Sequence, residues 1–334
     1  MDSVCICEDD RNASIPRMFA WYRQAYVCLI YFATSPKVVE DPWCTRGWTL
    51  QELLAPNQFR CFKSDWSPIV RTQRMFHANR GVGAVDDVHQ KLESVAGHIR
   101  WLKYKPGIDQ VFQLFQAMQK RETTMPEDMV YSLLPALDSK IPVRYGEGFD
   151  SAFYRLQVEC LSRGGERALL MWGLGLNAGV GSSPYHSMLA ADFKAFVGMD
   201  VYTHLTMLDL SDTSISFDMH GVMRIMATLL WPPSSRLGRI FTFTLDYIKG
   251  TVFAVLGIDN DHQAYGVLLR PVSSTSLPDI LLSTVLGRDM ISGHERQLSS
   301  DKRIVYERIQ FLKCNLYDLT PFYYTKMPEW VYIK

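Results

Sequence analysis

The sequence predicts an α/β front, a helical middle and a β-rich C-terminal domain. Three observations carry that expectation. Residues 1–66 alternate β-rich runs with stretches of helical periodicity, the order that builds a parallel sheet with helical crossovers. Residues 83–161 are dominated by helical spacing. From about residue 166 the chain enters a Gly/Ser-rich loop, "GLGLNAGVGSSP", and then short alternating runs between turn signals, at sandwich-like spacing. The expected division is therefore 1–70, 71–165 and 166–334.

In chain order, residues 3–7 form a short apolar run and are expected as a strand. Ile15, Met18, Phe19 and Tyr22 fall at helical spacing, with Pro16 suited to a first turn. "YVCLIYF" at 26–32 is continuous and β-rich, the pattern of a strand buried on both faces. "QFRCFKSDW" at 58–66 alternates and reads as another strand. Within 83–120, Pro106 and Gly107 divide two helices. "MPEDMVYSLLPAL" at 125–137 and "FDSAFYRLQVECL" at 149–161 are further helices, the latter with Phe149, Phe153, Leu156, Val158 and Leu161 inward. "RETTMPED" is a helix start capped by Thr123 or Thr124, and "RYGEG" is a turn that uses Gly146 and Gly148 for conformations other residues avoid.

Composition excludes several function classes. The 334 residues are 47% hydrophobic and 21% charged, normal for a chain with a sizeable core. The 35 basic residues balance 35 acidic ones, so nothing points to nucleic acid or to a polybasic membrane anchor. Seven cysteines are scattered through apolar runs, the usage of a reducing compartment, and Cys5-x-Cys7 is not a zinc spacing. "MDSVCICEDDRN" lacks the apolar core of a signal peptide, and no run reaches the roughly eighteen apolar residues of a membrane span. A cytoplasmic location follows, with no metal and no cofactor expected. The glycine-rich phosphate loops, the zinc-protease helix and the hydrolase nucleophile elbow are all absent.

The densest chemistry lies in "DPWCTRGWTLQEL", residues 41–53. Asp41 suits an N-cap and Pro42 the first helical position. Gly47 costs about 1 kcal/mol inside a helix, so a break there with a restart at Thr49 is expected. Two readings of Glu52 stay open. Thr49-x-x-Glu52 matches a capping box, in which the glutamate reaches back to a free backbone N–H. Alternatively, Glu52 stands beside an aromatic wall near the carboxyl end of a buried strand, where α/β sheets hold their ligands.

"RGWTLQELLAP" at 46–56 resembles the signature of the fungal heterokaryon-incompatibility domain. "DSVCI", "SIPRMFAWYRQAYVCLIYF" and "FRCFKSDWSPI" resemble its flanking segments in the right order. "KRETTMPEDMVYSLL", "IPVRYGEG" and "AFYRLQVE" resemble the segment that follows it. "SSPYHSMLAADFKAF" and "DMHGVMRIMATLL" resemble a β-rich extension of unknown function found in mushroom-type members. Against that pattern the chain is expected to be N-terminally shortened, lacking the residues that usually precede Asp2.

The family is similar in turn to the Toll/interleukin-receptor (TIR) domain, which implies a partial TIR-like parallel sheet with helices at the front. It implies a role in fungal non-self recognition and cell-death signalling, with self-association or signalling partner proteins. It also implies an alternative, an NAD hydrolase that releases nicotinamide with Glu52 as catalytic carboxylate. In that alternative Trp43 or Trp48 walls the nicotinamide and Arg46 meets a phosphate. A third reading is an inactive, truncated copy. The signalling reading is preferred, because a fold resemblance does not by itself carry an activity.

Overall fold

A computed structural model describes residues 10–33, 41–70, 104–108, 110–164, 167–173, 182–196, 205–206, 215–217, 221–231, 252–259, 263–272, 305–315, 323–324 and 329–333. The strand expected at residues 3–7, Cys5 and Cys7, and the first of the two helices expected within 83–120 lie outside the described residues. The chain divides into two compact units, Met1–Glu166 with Ala191–Phe196, and Arg167–Ala190 with Val197–Lys334.

The first unit mixes helices with a small sheet. A single turn, α1 (Arg11–Ser14), leads through a 3-10 turn at Ile15–Arg17 into α2 (Met18–Gln24). Ile15, Met18 and Phe19 are buried, and α2 packs on α4 (Thr49–Leu54), which carries Leu50, Leu53 and Leu54. Strand β1 (Cys28–Tyr31) pairs in parallel with β2 (Phe59–Phe62), in register from Cys28 opposite Phe59. The helical crossover between them contains α3 (Pro42–Thr45) and α4, as strand–helix–strand patterning requires. Strand β3 (Pro68–Val70) closes a three-stranded sheet as an antiparallel partner of β2.

One expectation changes here. Strand β1 is not buried on both faces: Cys28 and Ile30 are inward, while Leu29 is 56% and Tyr31 37% exposed. The outward face gains cover from the 63–67 turn, where Trp66 lies against the Tyr31 ring and the Ser64 carbonyl accepts from the Tyr31 hydroxyl. A short strand with one covered face reads in sequence like one with two, since aromatic residues serve both.

The helical part packs around aromatic rings. In α5 (Val111–Met118), Phe115 meets Phe153, Phe193 and Phe196 with ring centroids 5.2–5.3 Å apart. The 3-10 turn Phe193–Phe196 thus completes the core of the first unit. Helix α7 (Gly148–Ser162) turns a stripe of Ala152, Phe153, Leu156, Gln157, Cys160 and Leu161 inward, so Val158 and Phe149 are only half-buried. Phe149 instead stacks on Phe153 at 5.2 Å.

Helix α6 (Asp128–Tyr131) has Glu127 at its N-cap, and no threonine caps it; the Thr123 hydroxyl donates to the Met125 carbonyl. Glu127 is occupied elsewhere. One of its carboxylate oxygens accepts from the amides of Gly146 and Gly148 at 2.8 and 3.0 Å. Those glycines have φ of 93° and 78°, which points both N–H groups at one acceptor, so "RYGEG" is a turn built around a buried carboxylate.

In the second unit, β4 (Ser182–Ser183) and β5 (His186–Ala190) form a small hairpin. The remaining strands are β6 (Leu205–Thr206), β7 (Ser216–Phe217), β8 (Met223–Trp231), β9 (Val252–Asp259), β10 (Gln263–Pro271), β11 (Val305–Asn315), β12 (Tyr323–Tyr324) and β13 (Glu329–Ile333). Their pairing closes on itself: β8 joins β9 and β13, β9 joins β10, β10 joins β11, and β11 joins β13. Only β11–β13 is parallel among these. The run lengths suited a sandwich, but a ring of mutually paired strands leaves the five without an open edge. Cys28, Cys44, Cys61 and Cys160 are buried thiols rather than disulfides.

Candidate functional site

Asp41 opens the site as its sequence position promised. Its carboxylate accepts from the Trp43 amide at 2.9 Å, and Pro42 follows in the first helical turn. Helix α3 stops after Thr45, because Arg46 takes an extended conformation with ψ of 136°. The strap at 120–123 catches the chain there. The Gly47 amide donates to the Glu122 carbonyl at 2.9 Å, and the Glu122 amide donates to the Thr45 carbonyl at 2.7 Å. A Cβ at Gly47 would lie 2.5 Å from the Thr123 methyl carbon, so the close approach of this strap requires a glycine.

The chain restarts as α4 at Thr49, with Trp48 as N-cap and no side-chain cap. The capping box is therefore not formed. The Thr49 hydroxyl faces the Trp43 and Arg46 carbonyls, the latter at 2.7 Å, rather than a free N–H. Glu52, one turn further along the same helix face, accepts from the Trp43 indole N–H at 2.8 Å. Trp43 is itself buried and set edge-on to Phe32, ring centroids 5.8 Å apart. Phe32 follows β1 directly, and its amide donates to the Phe62 carbonyl at the end of β2. The Trp43–Glu52 pair thus lies at the carboxyl ends of two parallel strands.

Beneath it lies a residue that the sequence reading passed over. Arg121 is 4% exposed. Its Nη1 donates to the Arg46 carbonyl at 2.7 Å and to the Thr49 hydroxyl at 3.0 Å. Its Nε and Nη2 are buried without a hydrogen-bond partner among the described residues. Burial pushes the guanidinium down to about 10, while the charges of Cys44 and Glu52 act in the opposite sense. Burial also pushes the Cys44 thiol up to about 11 against the pull of Arg121, so at neutral pH the thiol is uncharged. A cation still ionised at pH 7 then has Glu52 as the carboxylate whose field acts on it.

Of the four residues singled out in sequence, the structure joins Trp43 and Glu52 directly. Arg46 contributes its carbonyl to the cluster and leaves its side chain exposed, and Trp48 is half-buried at the helix start. Gln51 is buried and donates to the Ser132 carbonyl at 2.7 Å, which locks α4 to the segment after α6. "RETTMPED" begins with Arg121, but nothing in that stretch assigns it to the site, because its partners are Thr49 and Arg46, far away in sequence; the three-dimensional approach of the strap reveals it. Among the described residues there is no group of three or more His, Cys, Asp or Glu that could hold a metal ion. None of the described helices is long and apolar enough to cross a membrane.

No protein-family model matches the chain, and no solved structure matches it. The vegetative incompatibility protein HET-E-1 of Podospora anserina is 33% identical over 178 residues, which cover 47% of this chain and 12% of that protein. The chain is thus similar, over about half of its length, to a small part of a much longer vegetative incompatibility protein.

Proposed function

We propose that this chain takes part in fungal non-self recognition and programmed cell death of the heterokaryon-incompatibility type, acting in the cytoplasm through a front unit built like a TIR domain and through self-association or signalling partner proteins. The similarity to HET-E-1 carries this reading. The parallel β1–β2 pair with its helical crossover supports it. The test is expression of the full chain in a fungal host. Death or growth arrest that Gly47→Trp, a disruption of the site's backbone, abolishes is the expected result. Full viability at high expression overturns this reading in favour of an inactive copy.

A second reading is favoured by one observation, the Trp43–Glu52 hydrogen bond at the carboxyl ends of the strands. In it the chain hydrolyses NAD. The bond between the ribose anomeric carbon and nicotinamide breaks, and nicotinamide leaves with the bonding electrons. Water adds to the anomeric carbon and loses a proton, giving ADP-ribose. The Glu52 carboxylate binds the ribose hydroxyls and stabilises the cationic, oxocarbenium-like transition state. Trp43, whose ring is committed to the core, aims the carboxylate. Trp48, half-buried, walls the nicotinamide, and the exposed Arg46 guanidinium meets a phosphate. Nicotinamide release by the purified chain, forcibly clustered, measures the activity. Absence of release removes this reading, and release that survives Glu52→Gln removes Glu52 from its role.

A further inference from the structure

We propose that Arg121 is the positioning residue for Glu52: an internal cation that balances the carboxylate and fixes it against the Trp43 indole. The inference deepens the Glu52 reading and rests on Glu52 being the working group. Its grounds are geometric. Arg121 reaches the site through Thr49, which stands one turn before Glu52 on α4, and the Thr49 hydroxyl in turn faces the Trp43 carbonyl. Trp43 closes the loop by donating from its indole to Glu52. Arg121, Thr49, Trp43 and Glu52 therefore form one continuous chain of contacts.

The guanidinium is also incompletely used. A structural arginine in a protein interior normally has its N–H groups answered, because each orphaned donor carries a desolvation penalty. Here Nε and Nη2 are buried without a partner among the described residues. Among the described residues, the acidic groups whose charge acts on the guanidinium are Cys44 and Glu52. Cys44 keeps its proton at neutral pH, and Asp41, the other buried acid in the segment, accepts from the Trp43 amide. That leaves Glu52 as the counter-charge. A buried cation that loses its counter-charge is strongly destabilising, whereas removing both members of such a pair is often neutral. It follows that loss of activity in a Glu52 single variant is ambiguous, because the variant also strands Arg121.

The experiment uses the full chain with 15N-labelled tryptophan, and follows the Trp43 indole N–H cross-peak, assigned from Trp43→Phe. Arg121→Met is expected to move that peak toward its position in Glu52→Gln and to speed its hydrogen exchange at least ten-fold. Arg121→Lys restores part of the shift, and the Trp48 indole does not respond. If Arg121→Met leaves the Trp43 peak and its exchange as in the wild type, the proposal is overturned. Should Arg121→Met not fold, urea midpoints decide. The double variant Arg121→Met/Glu52→Gln is expected to be more stable than either single variant, and additive losses overturn the proposal. Nicotinamide release on the same samples separates the two claims: a wild-type chain that holds its indole shift but cleaves no NAD loses the enzymatic reading and keeps the positioning one.

Discussion

Each unit of the molecule buries an arginine, and the two are treated differently. Arg121 in the first unit is 4% exposed and Arg308 in the second is 7% exposed. The Arg308 Nη1 and Nη2 donate to the Leu170 and Trp172 carbonyls at 2.8 and 2.5 Å. Its guanidinium carbon lies 3.6 Å from the centre of the Trp172 ring, and the Trp172 indole donates in turn to the Met188 carbonyl. Two carbonyls and a π face answer the charge, so Arg308 ties the 167–173 turn to strand β11. Arg121 makes its two bonds through a single nitrogen, and its Nε and Nη2 have no hydrogen-bond partner among the described residues. The first arrangement is that of a structural clamp. The second leaves a buried cation whose acting carboxylate among the described residues is Glu52, the electrostatic condition found at functional sites rather than in a finished core.

The comparison breaks if the clamp is dispensable. Arg308→Met deletes two charge-assisted hydrogen bonds, the close cation–π contact with Trp172 and a more distant one with Phe311. The cost is about 4 kcal/mol, from roughly 1.5 kcal/mol per bond and about 1 kcal/mol for the close ring contact. Arg308→Lys is expected to recover less than half of it, because an ammonium does not span two carbonyls while lying flat on an indole. Urea denaturation reads both numbers. A lysine that restores wild-type stability at position 308 removes the distinction between a fork and a point charge on which the comparison stands.

Acid sharpens the contrast in a different way. In the second unit His186 is 3% exposed, and its Nδ1 accepts from the Met188 amide at 3.1 Å. Burial holds the imidazole down at about 4, with a smaller opposing pull from the Ile333 backbone. The unfolded chain takes up a proton near the ordinary value of about 6.5, and the folded chain does not until about pH 4. Stability contributed by the neutral histidine is therefore complete above about pH 6.5 and falls as pH drops toward 4, by about 3 kcal/mol in all. In the first unit, burial raises the Glu127 carboxyl, but the Glu127, Gly148 and Gly146 amides outweigh it and hold the group below the ordinary carboxylate range. Its contribution survives until the pH falls below that range. The second unit should thus weaken at milder acidity than the first. His186→Asn, whose side-chain oxygen replaces Nδ1 as acceptor, is expected to remove the loss between pH 6.5 and 4.5. Equal pH dependence in wild type and variant would refute the assignment to His186.

How much of this could be read in sequence depends on the range of the interaction. Asp41, Pro42 and the break at Gly47 are local, set by capping and by helix propensity, and the structure keeps all three. The Gly146–Gly148 turn was equally legible, because positive φ is a property of the residue itself. The capping box at Thr49 was local too, and it lost to tertiary contacts: the Trp43 indole and Arg121 take the two side chains that the box needs. Arg121 and the closed ring of β8, β9, β10, β11 and β13 depend on partners brought together only by folding, and neither leaves a periodic trace.

The smallest expected effect tests the strap that delivers Arg121. Gly47→Ala places a methyl group 2.5 Å from the Thr123 methyl carbon. The Thr123 side chain cannot simply rotate away, because its hydroxyl is held by the Met125 carbonyl at 2.6 Å. The strap at 120–123 must then give way, loosening the bonds from Gly47 to Glu122 and from Arg121 to Arg46 at a cost of about 1–2 kcal/mol. Thr123→Ser keeps the hydroxyl and deletes the clashing methyl, so Gly47→Ala/Thr123→Ser should regain most of that loss. The rescue matters more than the loss, since alanine also changes the backbone preference at position 47, and serine at 123 has no means of correcting that. Stability that stays low in the double variant would mean that Gly47 is needed for its backbone freedom, and that the strap does not press on it.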